Sequence, residues 1–332
     1  MPSALIILAL LVAGGVGVSA EQSTPNDILY PIKVNINENV RSGLQFSDDA
    51  EASWDAKLVA RRISEAEKLS LESNLSSDLS AELTERIEAN IKSYEENIDD
   101  LETDDKYQEV ADISAQFEST LNSHIEVLKG LSLQAEGETK TSLNNLVAVL
   151  EKNSDKIAAS RINAEAEARA NIEGQTEAEA KANLNGQITR TEKQIRNATS
   201  FIERRGSEVE AGVRARAEAN LEKAEESLLK AQTEIEANAY GVAQDLLSEA
   251  RRLSQSAKTS IITYGKFDLS LNKETENETR TDEENMATTT ETESGTASTS
   301  VEINSQTETN TKSDDTTTDS NTKSETGVNI SL

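Results

Sequence analysis

Apolar residues recur three and four positions apart along most of this chain, which is the spacing of one face of an α-helix. The clearest stripe lies between residues 83 and 101 and comprises Leu83, Ile87, Ile91, Tyr94, Ile98 and Leu101. A second stripe runs from Val110 through Phe117 to Leu128. Because short connections between amphipathic helices favour antiparallel neighbours, the pattern predicts an all-α fold that starts with a small antiparallel helical bundle.

Turn and capping residues predict where the first helices begin and end. Pro31 suits the first position of a short helix, where its missing N–H would have no partner, and Gly43 is a typical end. Ser47, followed by two aspartates, predicts the start of a second helix, because serine caps free N–H groups and aspartate favours the positive end of the helix dipole. Asp104 likewise predicts the start of the fourth helix.

The second helix carries residues with specific expected roles. Trp54, the only tryptophan of the chain, shares its predicted apolar stripe with Leu58 and is expected to anchor the bundle. Arg61 and Glu65 are four residues apart and are predicted to pair on the flank of the helix. The Arg61-Arg62 dipeptide is interpreted as a salt-bridged flank rather than an anion-binding site.

The chain becomes rich in alanine and glutamate after residue 139. Alanine has the highest helix propensity but little surface to bury, so residues 136–206 are predicted to form an extended, thinly packed helical region. Glycines predict its interruptions at Gly174 and Gly186, just as Gly130 predicts the end of the preceding helix.

Residues 207–264 are predicted to form a helical hairpin that turns at Ala237-Asn238. Its first arm carries a heptad seam, the pattern of coiled coils, made of Ala217, Leu221, Ala224, Leu228, Ala231 and Ile235. Because alanine occupies half of this seam, the hairpin looks underpacked. The sequence therefore predicts a protein partner, or self-association, through helices 207–263.

The two ends of the chain differ from the rest. Residues Ala4–Val18 form an unbroken apolar run that is shorter than the about 20 residues of a membrane span, and Val18-Ser19-Ala20 offers small residues for cleavage. We therefore predict a signal peptide over residues 1–20, with an uncleaved membrane anchor as the alternative. Residues 265–332 form a Thr/Ser-rich acidic tail that is predicted to be disordered. The remainder divides into a bundle (21–135), the extended region (136–206) and the hairpin (207–264).

Charge and composition exclude several kinds of function. The 332 residues carry a formal net charge of −28 and include no cysteine. This acidity argues against nucleic acid as a partner, since nucleic-acid binding needs a basic surface. The lack of cysteine excludes disulfides and thiolate metal sites.

Candidate catalytic and metal-binding residues do not form a convincing site. His124 is the only histidine and is interpreted as a core or flank residue, because zinc needs three or four ligands. Asp99-Asp100 lacks the spacing of a calcium loop and is interpreted as a solvated face. Ser270 and Lys273 match a serine–lysine motif by chance. The sequence therefore predicts no enzyme and no catalytic, cofactor-binding or metal-binding residue.

The segment from Pro25 to Leu69 resembles a bacterial family known as domain of unknown function 5667, and residues 80–131 resemble its continuation more weakly. The resemblance rests on Asp27, Leu29-Tyr30-Pro31, Lys33, Glu38, Val40-Arg41, Leu44, Phe46, Ala50 and Ala60-Arg61-Arg62-Ile63-Ser64-Glu65-Ala66. It implies a bacterial extracytoplasmic helical domain, secreted or associated with the cell envelope, and no catalytic residues.

Two functional hypotheses follow from these patterns. The first is a non-catalytic exported protein that acts as a scaffold or protein-interaction module. The alternative is an extracytoplasmic sensor or regulatory domain resembling anti-sigma-factor ectodomains.

The export hypothesis makes a direct prediction. Cleavage after Ala20 would leave a mature chain that begins at Glu21, and mass spectrometry of the protein from its native host should find that amino terminus. Recovery of a peptide that spans residues 1–20 would favour the membrane anchor instead.

Overall fold

Eight helices and short connections make up the described part of the chain, which is residues 20–286 of this computed structural model, with side chains described from residue 20 to residue 265. A short helix α1 covers residues 30–42. It is followed by α2 (Asp48–Leu71), α3 (Ser77–Thr103), α4 (Tyr107–Gln134), α5 (Gly137–Glu173), α6 (Glu177–Arg205), α7 (Ala211–Glu236) and α8 (Tyr240–Met286). This part contains no strand, so the predicted all-α fold is confirmed.

Helices α2 to α5 form the first bundle around one apolar core. The predicted stripes on α3 and α4 point into it, and the Tyr94 ring meets the Phe117 ring edge-on with centroids 4.7 Å apart. The hydroxyl of Tyr94 lies 2.8 Å from that of Ser114, which provides a hydrogen bond inside the core. The first half of α5 also belongs here through Leu143 and Leu150, so this part of residues 136–206 is densely packed rather than extended.

Helices α6, α7 and α8 form a second set of apolar contacts. The seam of α7 is buried, and its alanines allow close approach of both neighbouring helices. Ala198 and Ile202 of α6 share a cluster with Ala217 of α7 and Ala257 of α8. Helix α6 therefore covers the seam within the same chain.

A buried polar network joins the two sets of helices. Arg251 of α8 donates to Asp112 of α4 over 2.7 Å and to Gln187 of α6 over 3.1 Å. Gln244 of α8 donates to Gln108 of α4 and accepts from Gln187. Because each buried polar group needs a defined partner, these bonds fix the register of α8 between α4 and α6.

Several predicted boundaries are confirmed. α2 begins directly after Ser47, although the serine side chain makes no capping hydrogen bond. Helix α5 ends at Gly174, and α6 ends at Gly206. The turn between α7 and α8 includes Asn238, whose φ of 63° is the left-handed conformation that asparagine tolerates.

Other predicted boundaries are wrong. Helix α4 starts at Tyr107 rather than at Asp104, because Asp105 adopts a φ of 57° and breaks the helix. It also continues past Gly130 to Gln134. Gly186 lies inside the uninterrupted helix α6, since flanking residues with good helix propensity outweigh the cost of one glycine, about 1 kcal/mol.

The predicted signal peptide and tail lie largely outside the described residues. Only Ala20 of residues 1–20 is described. Helix α8 continues to Met286, well beyond the predicted end of the hairpin at residue 264, and residues 287–332 fall outside the description. Among the described residues, no helix combines the length and the apolar character needed to cross a membrane.

Two glycines provide a matched test of helix energetics. A Cβ at Gly186 or at Gly137 would meet no atom within 4 Å, but Gly137 has a φ of +56° and Gly186 does not. Gly186→Ala should raise the free energy of unfolding by roughly 0.5–1 kcal/mol. Gly137→Ala should lower it by roughly 1–2 kcal/mol, because a Cβ is strained in the left-handed region. Urea denaturation checks both, and a stabilising Gly137→Ala would contradict the assigned backbone.

Candidate interaction surface

Helix α1 has an unusual winding that turns Lys33 and Glu38 inward. Lys33–Glu38 forms a π-helix between two short α-helical pieces. In an α-helix, residues five apart lie about 140° apart around the axis, at 100° per residue. The wider π-helical turn, which bonds residue i to residue i+5, brings Lys33 and Glu38 to one face, and both are buried.

The buried face of α1 meets α2 in an ionic cluster, which we define as Tyr30, Lys33, Glu38, Arg62 and Glu65. The Glu65 carboxylate accepts from the Lys33 ammonium over 2.6 Å and from the Tyr30 hydroxyl and the Arg62 guanidinium, each over 3.0 Å. Arg62, which is 1 % exposed, also donates to Glu38. Two cations therefore face two carboxylates in a buried site.

The electrostatics of the ionic cluster follow from its burial. Burial raises the pKa of Glu38 above its ordinary value, and the guanidiniums of Arg62 and Arg61 oppose that rise. Burial alone would lower the pKa of Arg62, but Glu65 and Glu38 raise it above its ordinary value. Burial and the neighbouring Glu65 also raise the pKa of Tyr30. The tyrosine hydroxyl therefore stays protonated and acts as a donor.

A second, more exposed set of contacts holds the residues before α1. Glu21 pairs with Arg41 over 3.1 Å and with Arg61 over 3.0 Å. The Arg61 guanidinium lies 5.3 Å from the centre of the buried Trp54 ring. The predicted Arg61–Glu65 pair on one flank of α2 is therefore wrong, because Arg61 turns toward Glu21 and Glu65 turns toward α1.

The other face of α1 is apolar and open to solvent. Ile36 and Val40 of α1 and Leu44, two residues beyond its end, follow one another at intervals of four residues and are 55 %, 60 % and 59 % exposed. Phe46, in the connection to α2, is 87 % exposed. We call these four residues the α1 face. A helix normally buries its apolar side and exposes its charges. In α1, Lys33 and Glu38 are buried while Ile36 and Val40 are exposed, and only the third charged residue, Arg41, is exposed in the usual way.

The remaining residues considered from the sequence lie apart from the α1 face. His124 is buried and its Nδ1 lies 2.7 Å from a carboxylate oxygen of Glu67, which agrees with its interpretation as a core residue. Among the described residues, no three His, Asp or Glu side chains are grouped as metal ligands. Ser270 and Lys273 lie on α8, outside the range of described side chains.

Helical periodicity indicates neither the ionic cluster nor the orientation of α1, because a 3.6-residue period does not describe a π-helix. All five members of the ionic cluster, together with Val40, Leu44 and Phe46, belong to the residues on which the family resemblance rests.

Comparisons with protein-family models, with curated proteins and with solved structures found no match to this chain. The resemblance of residues 25–131 to domain of unknown function 5667 therefore stays a prediction.

The ionic cluster makes a prediction about stability. Glu65→Gln should lower the free energy of unfolding by about 3–5 kcal/mol, because it leaves a buried ammonium and a buried guanidinium short of a countercharge. Glu96→Gln is the matched control, since Glu96 forms an exposed pair with Lys92 that is worth only about 0.3–0.5 kcal/mol. Chemical denaturation followed by Trp54 fluorescence measures both. Equal effects would show that the cluster does not hold α1.

Proposed function

We propose that this protein is a non-catalytic exported protein of the bacterial cell envelope, and that it binds a partner protein through the α1 face. The observation that carries this proposal is the orientation of α1, with Lys33 and Glu38 buried and Ile36 and Val40 exposed. The extracytoplasmic location is supported by the apolar run at residues 4–18 and by the family resemblance.

The α1 face has the properties of a binding surface rather than of an ordinary exposed surface. Single apolar residues are common on protein surfaces, whereas contiguous apolar patches mark interaction sites. Residues 42–47, which carry Leu44 and Phe46 of the α1 face, include no charged residue, although 28 % of the residues in the chain are charged. A partner could therefore cover this face without removing water from an unpaired charge, which would be costly.

The ionic cluster also supports a role in binding. It fixes α1 against α2 through four side chains that are themselves buried. A surface that is already ordered loses less conformational entropy when a partner binds. The cluster thus holds the apolar residues outward and rigid, although burying them against α2 would be the more usual arrangement.

The alternative binding surface, helices 207–263, is less favoured. Its heptad seam is covered by α6, so the seam itself offers nothing to a partner. Leu229 is the large apolar side chain that α7 exposes, and it stands without an exposed apolar neighbour at helical spacing. Self-association or partner binding through helices 207–263 stays a prediction. Such an interaction would have to use the outer surface of the hairpin.

Photo-crosslinking separates the two surfaces. A photoreactive phenylalanine analogue at Val40 should give a discrete crosslinked species in the native host. The same analogue at Leu229 should give none, and both variants should match the wild type in thermal melting. Adding Leu44→Asp to the Val40 variant should abolish the species, because a buried unpaired carboxylate opposes docking. Crosslinks at Leu229 alone would move the interaction to the hairpin. Equal yields from both positions would contradict a specific site.

A further inference from the structure

We infer that Asn74 is a site of N-linked glycosylation, with an oligosaccharide joined to its side-chain amide. Asn74, Leu75 and Ser76 form the acceptor motif Asn-x-Ser/Thr, in which x is not proline. The motif lies in the connection between α2 and α3. Because this motif marks surface loops of secreted proteins, the inference rests on the proposed export of the chain.

The connection between α2 and α3 presents Asn74 to solvent. Helix α2 ends in a Schellman motif, in which Ser73 has a φ of 55° and the Asn74 N–H donates to the Leu69 carbonyl over 2.8 Å. Leu75 then packs into the core of the first bundle and is 1 % exposed, whereas Asn74 is exposed. The Asn74 side chain makes no hydrogen bond within the described part of the chain. An attached glycan would therefore project into solvent without displacing a contact.

The reaction at Asn74 requires a sugar donor and a transferase, both supplied by the host. The donor is an oligosaccharide linked through its C1 carbon to a lipid pyrophosphate. Nδ2 of Asn74 forms a bond to C1 as the bond between C1 and the pyrophosphate oxygen breaks. The lipid pyrophosphate leaves with the electron pair of that bond, and Nδ2 loses one proton to a base of the transferase. No atom is oxidised or reduced, so the reaction needs no further co-reactant.

The folded connection indicates when the transfer takes place. The hydroxyl of the motif is part of what the transferase recognises, but the Ser76 side chain accepts from the Leu79 N–H over 3.3 Å and caps α3. Leu75 is also held in the core. The transferase therefore acts before Leu75 packs, while the connection is still extended, and the completed fold leaves the glycan on the outside.

A second motif with described side chains, Asn197-Ala198-Thr199, lies within helix α6. Its threonine hydroxyl donates to the Ile195 carbonyl over 3.0 Å. Helix α6 has a capping box at its start, and a helix forms from local contacts within about a microsecond. This motif therefore leaves the extended conformation early, whereas the connection at Asn74 becomes fixed only when the bundle closes.

Charge also distinguishes the two motifs. The exposed Glu72 stands two residues before Asn74, and Ile195 holds the same position before Asn197. A basic group on a transferase can pair with Glu72 and finds no such partner at Ile195. We therefore expect Asn74 to be modified and Asn197 to stay unmodified.

Peptide mass spectrometry of the protein from its native host tests the inference. Trypsin releases residues 69–86 and residues 197–204 as separate peptides with one motif each. Peptide 69–86 should carry added sugar mass, located at Asn74 by fragmentation, and peptide 197–204 should carry none. An unmodified peptide 69–86 from protein recovered outside the cytoplasm would overturn the glycan and leave the proposed export intact. Recovery only from the cytoplasm, with residues 1–20 retained and peptide 69–86 unmodified, would contradict both.

Variants expressed in the same host locate the site. Asn74→Gln should remove all of the added mass and leave the chain folded by circular dichroism, because the Asn74 side chain has no partner to lose. Asn197→Gln is the matched control and should keep the mass. Ser76→Thr should also keep it, whereas Ser76→Ala should lose it, because the transferase requires the hydroxyl. Glu72→Gln should lower the modified fraction. Added mass that persists in Asn74→Gln, or equal modification of Ser76→Ala and Ser76→Thr, would overturn the inference.

Discussion

The position of α1 depends on the contacts that the Glu65 carboxylate makes. The carboxylate accepts from Tyr30, Lys33 and Arg62, and so it draws one hydroxyl and two cations of different chain segments to a single point. A buried ion pair is not in itself a source of large net stability, because desolvation offsets much of the attraction. Its value here is geometric. The observed placement of α1 satisfies all of these donors, and it turns Ile36, Val40 and Leu44 to solvent.

The same principle applies at the junction of the two sets of helices. Seams rich in alanine bring helices close together but bury little apolar area, at roughly 25 cal/mol for each Å². Such contacts only weakly oppose the sliding of one helix along its neighbour. Arg251 resolves this by bonding to Asp112 and Gln187 at once, since a shift of α8 by one turn would break both bonds. In a chain with few large apolar residues, burial of apolar area favours close packing of the helices. The buried polar contacts then determine which of the possible registers the helices adopt.

The physical origin of each feature explains how much of it could be predicted from the sequence. The stripes on α3 and α4 combine steps of three and four over several turns, and the structure places them in a core. The turn at Asn238 was also predictable from local chemistry, whereas the left-handed backbone of Asp105 was not. The π-helix of α1 was not, because its charges are held inward by Arg62 and Glu65, which lie more than twenty residues away in the chain. Ionic contacts between residues that are far apart in the chain produce no periodic pattern in the sequence.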